Sequence, residues 1–200
     1  MIQSIIEQLA TQGWCVQPDF LSATQVRDLA EDANTLHQSG QLTPAGIGQG
    51  EHKTLRPTLR GDSIHWLEEA QVQSSGTSAA QQTFFQQMES LRQAANRELQ
   101  LGLFEFECHF ARYPTGAGYS KHLDTFQHDN RRTLSVICYL NEDWQPEHGG
   151  QLRIDLEDGS HIDVLPEGGT LVCFLSHRFP HEVLLATRPR LSMTGWFKRR

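Results

Sequence analysis

His122-Leu-Asp124 sets an imidazole and a carboxylate two residues apart. On an extended strand such positions share a face, so both side chains can reach one ion. A second imidazole from another strand would complete a facial set of two histidines and one carboxylate. That set leaves three adjacent coordination positions open, as non-haem iron(II) requires. The H-x-[DE] spacing is weak by itself, because ten histidines and 24 acidic residues among 200 give about one such pair by chance. The sequence holds two, the other being His161-Ile-Asp163. That second pair follows the turn Asp158-Gly159-Ser160 and stands close before His181, as a surface hairpin would. Residues 123–180 leave room for several strands to cross and return. His122, Asp124 and His181 are therefore the expected metal ligands.

Beyond His181, Arg190, Ser192, Thr194 and Trp196 alternate with Leu191, Met193, Gly195 and Phe197. A strand that is apolar on one face usually turns the other to water, which would leave Arg190 at the surface. Beside a metal, an arginine with hydroxyl-bearing neighbours could instead receive a dicarboxylate. The guanidinium fork binds a carboxylate bidentately and keeps its charge when desolvated.

The elements that must hold these residues are legible in outline. Met1–Gln12 reads as a short amphipathic helix rather than a secretory signal, since it lacks a basic start and carries Glu7. Ser22 and Gln25 form a capping box ahead of helical spacing at Val26, Leu29, Ala30, Ala33 and Leu36, predicting a helix over 23–38. A second long helix is predicted over 77–100 from the stripe Phe84, Phe85, Met88, Leu91 and Leu99. Between them the glycine-rich run 45–54 reads as a mobile loop.

From Phe104 the period becomes two, with Phe104, Phe106, Cys108 and Phe110 on one face and Glu105, Glu107 and His109 on the other. Further strands are predicted at 132–141, 151–156, 161–165, 169–176, 181–186 and 190–198, separated by turn signals such as His148-Gly-Gly. Many short strands with no helices between them imply an antiparallel barrel or jelly roll braced by the N-terminal helices. We expect one domain over 1–200, with 1–100 mostly helical scaffold and loop and 101–200 a β core.

Composition narrows the class. An apolar fraction of 38% and a charged fraction of 20% suit an ordinary globular chain. A net charge of −7, from 17 basic and 24 acidic residues, argues against binding a phosphate backbone. No stretch reaches the roughly 20 apolar residues of a membrane span. Cys15, Cys108, Cys138 and Cys173 are scattered without a C-x-x-C pair, so reduced thiols and a cytoplasmic setting are expected.

The ordered set His122-x-Asp124, His181 and Arg190 resembles the 2-oxoglutarate/iron(II) dioxygenases. It is most similar to the prolyl 4-hydroxylase branch, which contains the hypoxia-inducible-factor prolyl hydroxylases and bacterial relatives. The likeness is carried by RGDSIHW (60–66), ARYPTGAGYSKHLD (111–124), RTLSVICYLNEDW (132–144), HGGQLRI (148–154) and FPHEVLLATRPRLSMTGWF (179–197), while residues 1–59 carry no matching motif. It implies a double-stranded β-helix with iron near its open end. It also implies Fe(II), 2-oxoglutarate and O2 as cofactors, with ascorbate as an accessory reductant.

By the same resemblance, the distal carboxylate of 2-oxoglutarate would pair with Arg190 and the Tyr139 hydroxyl, with Thr194 close by and Tyr113 nearer the metal. Arg132 and Asp62 would form a charged pair beside a substrate groove, the loop before Arg60 would fold over a peptide, and Trp196 and Trp66 would wall the pocket. The activity implied is hydroxylation of a prolyl residue in a protein or peptide, for which bacterial relatives suggest a translation factor such as elongation factor Tu.

Three alternatives stay open: a hydroxylase of free amino acids, a non-catalytic sensor of metal or a small acid, and a zinc hydrolase. The last would have no use for Arg190 and Tyr139. Nucleic-acid demethylases of the superfamily carry a second arginine where this chain has Trp196, which disfavours that substrate.

Overall fold

The local signals place the helices where expected. In the computed structural model, which describes residues 1–46, 54–56, 58–67, 77–125 and 130–200, α1 spans Ile2–Gln12, α2 Ala23–Gln38 and α3 Ala79–Leu99. The capping box of α2 is formed. The Ser22 hydroxyl accepts from the Gln25 N–H, and the Gln25 side chain accepts from the Ser22 N–H. Ser78 caps α3 by accepting from the Gln81 N–H. No helix among the described residues is long and apolar enough to cross a membrane.

Among the described residues there are eleven strands, numbered in chain order. They are β1 (Trp14–Gln17), β2 (Thr43–Pro44), β3 (Ser63–Leu67), β4 (Leu103–Tyr113), β5 (Tyr119–His122), β6 (Arg132–Tyr139), β7 (Leu152–Asp155), β8 (His161–Val164), β9 (Leu171–Leu175), β10 (His181–Val183) and β11 (Arg190–Arg199). They form a seven-stranded sheet, β1-β9-β6-β11-β4-β3-β2, and a four-stranded sheet, β5-β10-β7-β8. Every pairing is antiparallel.

Each face of the large sheet has its own task. Leu134, Val136, Cys138, Cys173, Leu191, Met193, Phe197 and Phe110 pack with α1, α2 and α3 in one apolar core. Ile137, Tyr139, Val172 and Phe174 on the opposite face meet Leu152, Ile154 and Val164 of the small sheet. All four cysteines are buried and free. The glycine-rich run expected to be a loop lies mostly outside the described residues, at 47–53.

The first hundred residues, expected to be mostly helical scaffold and loop, also supply β1, β2 and β3 to the large sheet. β1 is only four residues long, too short to display a period. Phe104 does not face the core with Phe106; it is 56% exposed and Leu103 is buried in its place. An irregularity between Lys198 and Arg199 pairs Arg199 with Leu103 and skips Phe104. The Arg200 guanidinium then covers the Phe104 ring at 4.2 Å from its centroid.

Candidate active site

Strand register assembles the metal-ligating residues. His122, at the end of β5, stands directly opposite His181, at the start of β10, and their rings lie 4.3 Å apart. Asp124 follows two residues beyond His122. Its carboxylate approaches the two Nε2 atoms at 3.7 and 3.6 Å, and one ligand atom from each of the three residues falls within 4.8 Å of the others.

The outer sides of these groups are fixed. The Nδ1–H of His122 donates to the Ser120 carbonyl at 2.9 Å and that of His181 to the Phe179 carbonyl at 3.0 Å. A carbonyl can only accept, so each neutral ring turns a bare Nε2 inward. Ser135 on β6 donates to Asp124 at 2.6 Å and is itself bonded to Ser176. Burial and the neighbouring His181 push His122 down to about 4, which keeps it neutral. Burial alone would raise the Asp124 carboxyl, but His181, His122 and the Ser135 hydroxyl hold it below its usual value. Two neutral imidazoles and one carboxylate are a donor set suited to a divalent ion.

The competing pair resolves as a surface feature. β7 and β8 form a hairpin, and Asp163 is engaged by the Arg153 guanidinium at 2.7 and 2.8 Å.

A cavity of about 470 Å³ opens beside the triad. Arg190, which polar alternation alone would put in water, lines this cavity and is only 2% exposed. It pairs in register with Tyr113, and its guanidinium lies 5.4 Å from the Tyr113 ring and 4.9 Å from the Tyr139 ring. Its Nε donates to the Gly150 carbonyl at 2.9 Å, and among the described residues no carboxylate forms an ion pair with it. Burial pushes the Tyr139 phenol up to about 12 against the pull of Arg190, so the hydroxyl keeps its proton. That hydroxyl is buried without a hydrogen bond among the described residues. A buried cation beside a buried unused donor is a receptor for an anion. Thr194 lies farther along β11, on the same wall.

Farther along the same face of β11, Trp196 has its ring centroid 6.3 Å from that of Trp66, and Arg132 stacks on Trp196 at 3.5 Å. Asp62 and Arg132 both line the cavity, but the expected pair between them is not formed. Asp62 instead holds Arg60 through two bonds of 2.7 and 3.0 Å, and Arg132 bonds Glu107 at 2.8 Å. β3 places Asp62 just before its first residue, close to Arg60, whereas Glu107 on β4 and Arg132 on β6 flank β11 from opposite sides.

Four contributors were not singled out from the sequence. Tyr119 stacks on His122 at 3.7 Å, Arg60 lies over Tyr119 at 4.8 Å, Ser135 orients Asp124, and His109 lines the cavity. Tyr119 and Arg60 lay within the quoted motifs, whereas Ser135 and His109 carried only their alternation.

The sequence signature of the 2OG-Fe(II) oxygenase superfamily matches residues 108–198. Human Egl nine homolog 1 is 29% identical over 206 residues, covering 98% of this chain and 46% of its own length. The chain spans about half the length of the curated relatives of this kind that it matches. The crystal structure of a Pseudomonas putida prolyl-4-hydroxylase superposes with a TM-score of 0.89 at 47% identity, covering 100% of both chains. A Trichoplax adhaerens prolyl hydroxylase, solved with a peptide fragment of the hypoxia inducible factor oxygen degradation domain, gives 0.86 at 28% identity, with 98% and 88% coverage. The two facing antiparallel sheets are thus the double-stranded β-helix of these enzymes. This chain belongs to the 2OG-Fe(II) oxygenase superfamily, within its prolyl hydroxylase family.

Proposed function

We propose that the chain is a single catalytic domain that hydroxylates a prolyl residue in a protein or peptide, consuming 2-oxoglutarate and O2 and releasing succinate and CO2. The observation that carries the proposal is the pairing of two receptors across one cavity. One is the triad of bare Nε2, bare Nε2 and carboxylate; the other is the buried Arg190 and the unused Tyr139 hydroxyl.

His122, Asp124 and His181 would hold iron(II), which with its cosubstrate supplies the oxidation of a C–H bond when bound. The rest is placement. The carbonyls of Ser120 and Phe179 fix the histidine tautomers, as outer partners of metal ligands do. Arg190 and Tyr139 neutralise and orient the distal carboxylate, with Thr194 on the same wall and Tyr113 beside the guanidinium. Arg132, Asp62, Trp196 and Trp66 shape the side where substrate enters. Proton transfer by a protein acid or base is not demanded by this chemistry.

A peptide substrate is supported by the similarity to the peptide-bound Trichoplax enzyme. A translation factor such as elongation factor Tu is the first protein target to offer, on the family resemblance read in the sequence alone. Four free, buried thiols are compatible with a reducing cytoplasm, where ascorbate or another reductant would keep iron reduced.

The test offers proline peptides and host proteins to anaerobically iron-loaded protein, then admits oxygen. A gain of one oxygen atom on proline should accompany stoichiometric succinate. Asp124→Ala should abolish both. Arg190→Ala should raise the 2-oxoglutarate concentration needed by about 10- to 100-fold, the worth of one or two charge-assisted hydrogen bonds, with metal binding intact. Oxygen incorporated only into free amino acids would replace the peptide assignment, and full turnover by Asp124→Ala would remove the ligand assignment.

A further inference from the structure

Among the described residues, the buried side-chain atoms left without a hydrogen bond are Tyr139 Oη, Trp196 Nε1 and His109 Nε2. The first belongs beside Arg190 and the second to a cavity wall next to Asp124. His109 has no part in the chemistry above. It sits on β4 opposite Thr194 of β11 and Trp66 of β3, is 1% exposed, and lines the cavity. Trp66 packs edge-on against it at 4.8 Å and Trp196 lies 5.6 Å away.

The chemistry of the ring can be read from its one bond. Nδ1 lies 3.2 Å from the Phe110 carbonyl, so Nδ1 carries the proton. Burial pushes the ring down to about 4, with Asp62 opposing and Arg60 and Arg132 assisting. His109 is therefore neutral and its Nε2 is a bare lone pair. An unmatched buried acceptor costs free energy until a donor arrives. 2-Oxoglutarate is a dianion that offers only acceptors, so it cannot be that donor. Of the reactants in the proposed reaction, only the molecule being oxidised brings an N–H.

We propose that His109 is a substrate-binding residue whose Nε2 accepts a hydrogen bond from a backbone N–H flanking the target proline. The proline itself has no N–H, so the donor is the amide of a neighbouring peptide residue. The indoles of Trp66 and Trp196 keep competing water from the lone pair and shape the slot through which the amide enters. This rests on the peptide-hydroxylase assignment and adds to it a point of specificity. A free amino acid, having no flanking amide, would leave the acceptor unmatched.

The test uses short proline-centred peptides that wild-type, iron-loaded protein turns over; absence of any such peptide defeats the parent assignment and the His109 role with it, whereas the outcomes below defeat the role alone. With one in hand, His109→Leu should raise the peptide KM about three- to tenfold, the worth of one neutral hydrogen bond. The KM for 2-oxoglutarate should stay put and the thermal midpoint with metal should not fall, and His109→Gln, whose amide oxygen can replace Nε2, should recover most of the loss. N-methylation of one flanking amide should weaken wild type by a similar factor and leave His109→Leu indifferent.

Independently of turnover, the His109 Nε2 resonance in 15N-histidine-labelled protein should move when peptide is added anaerobically. An unchanged peptide KM in His109→Leu, or equal losses on N-methylation in both proteins, overturns the proposal. Should His109→Leu fail to fold, a peptide-insensitive Nε2 resonance in wild type would overturn it alone.

Discussion

An imidazole sealed beneath two indoles is an unusual place to keep a lone pair, and it has a thermodynamic signature. In the unfolded chain His109 takes up a proton near 6.5, the ordinary value, whereas in the folded state burial delays that to about 4. Between these two values the unfolded chain binds the extra proton, so stability falls as pH falls through the window and is level above it. The share of His109 at the bottom of the window is about 3 kcal/mol. Denaturant titrations of metal-free protein between pH 7 and 4 should show this decline, and His109→Leu should flatten part of it. His122, also pushed down to about 4, acts in the same direction. An identical pH profile in the variant would mean that the ring titrates normally. The same side chain shows where sequence reading reaches its limit. Alternation put His109 and Arg190 correctly on the polar faces of their strands, but a polar face turned to water and one turned into a cavity have the same pattern.

Gly149 and Gly150, between a short 3-10 turn at Pro146–His148 and β7, show how an element carries a distant side chain. Both adopt positive φ, 68 and 72°, where a Cβ is strained. A Cβ at Gly149 would also collide with the Leu185 carbonyl oxygen. This backbone turn brings the Gly150 carbonyl to Arg190 Nε and the Gly149 carbonyl to the Trp144 indole N–H. Asn141 secures the start of β11 from the other side, bonding both N–H and C=O of Leu191. Gly149→Ala should therefore cost about 1–3 kcal/mol of stability and raise the 2-oxoglutarate KM, although residue 149 touches no reactant. Ser22→Ala in the α2 cap, worth about 1 kcal/mol, supplies the control. It should lose stability without changing that KM, and a KM shift of equal size in both variants would make the effect global. The helices and the strands from residue 132 onward were legible because caps, turn residues and apolar periods agreed along each segment. β1 and β3 were not, since their strand state is conferred by the edges of β9 and β4 that they complete.

Across the whole molecule, the candidate metal site joins parts that the fold otherwise keeps separate. His122 and His181 belong to the small sheet, while Asp124 is bonded to Ser135 on β6 of the large one. An ion held by all three would clamp the sheets together at their open edge. It cannot be held this way by the unfolded chain, so binding must stabilise the fold by an amount set by concentration over Kd. At a free ion concentration 100-fold above Kd that amount is about 2.7 kcal/mol. For a chain of 200 residues this is a rise in Tm of roughly 5–10 °C. Fe(II) under anaerobic conditions, or Mn(II) as a redox-inert substitute, should produce the rise in a thermal melt, and a chelator should reverse it. Asp124→Ala should abolish the rise, whereas His161→Ala, on the exposed hairpin, should retain it in full. A rise that survives Asp124→Ala would place the ion elsewhere, and the convergence of residues 122, 124 and 181 would then be a packing arrangement with no metal function.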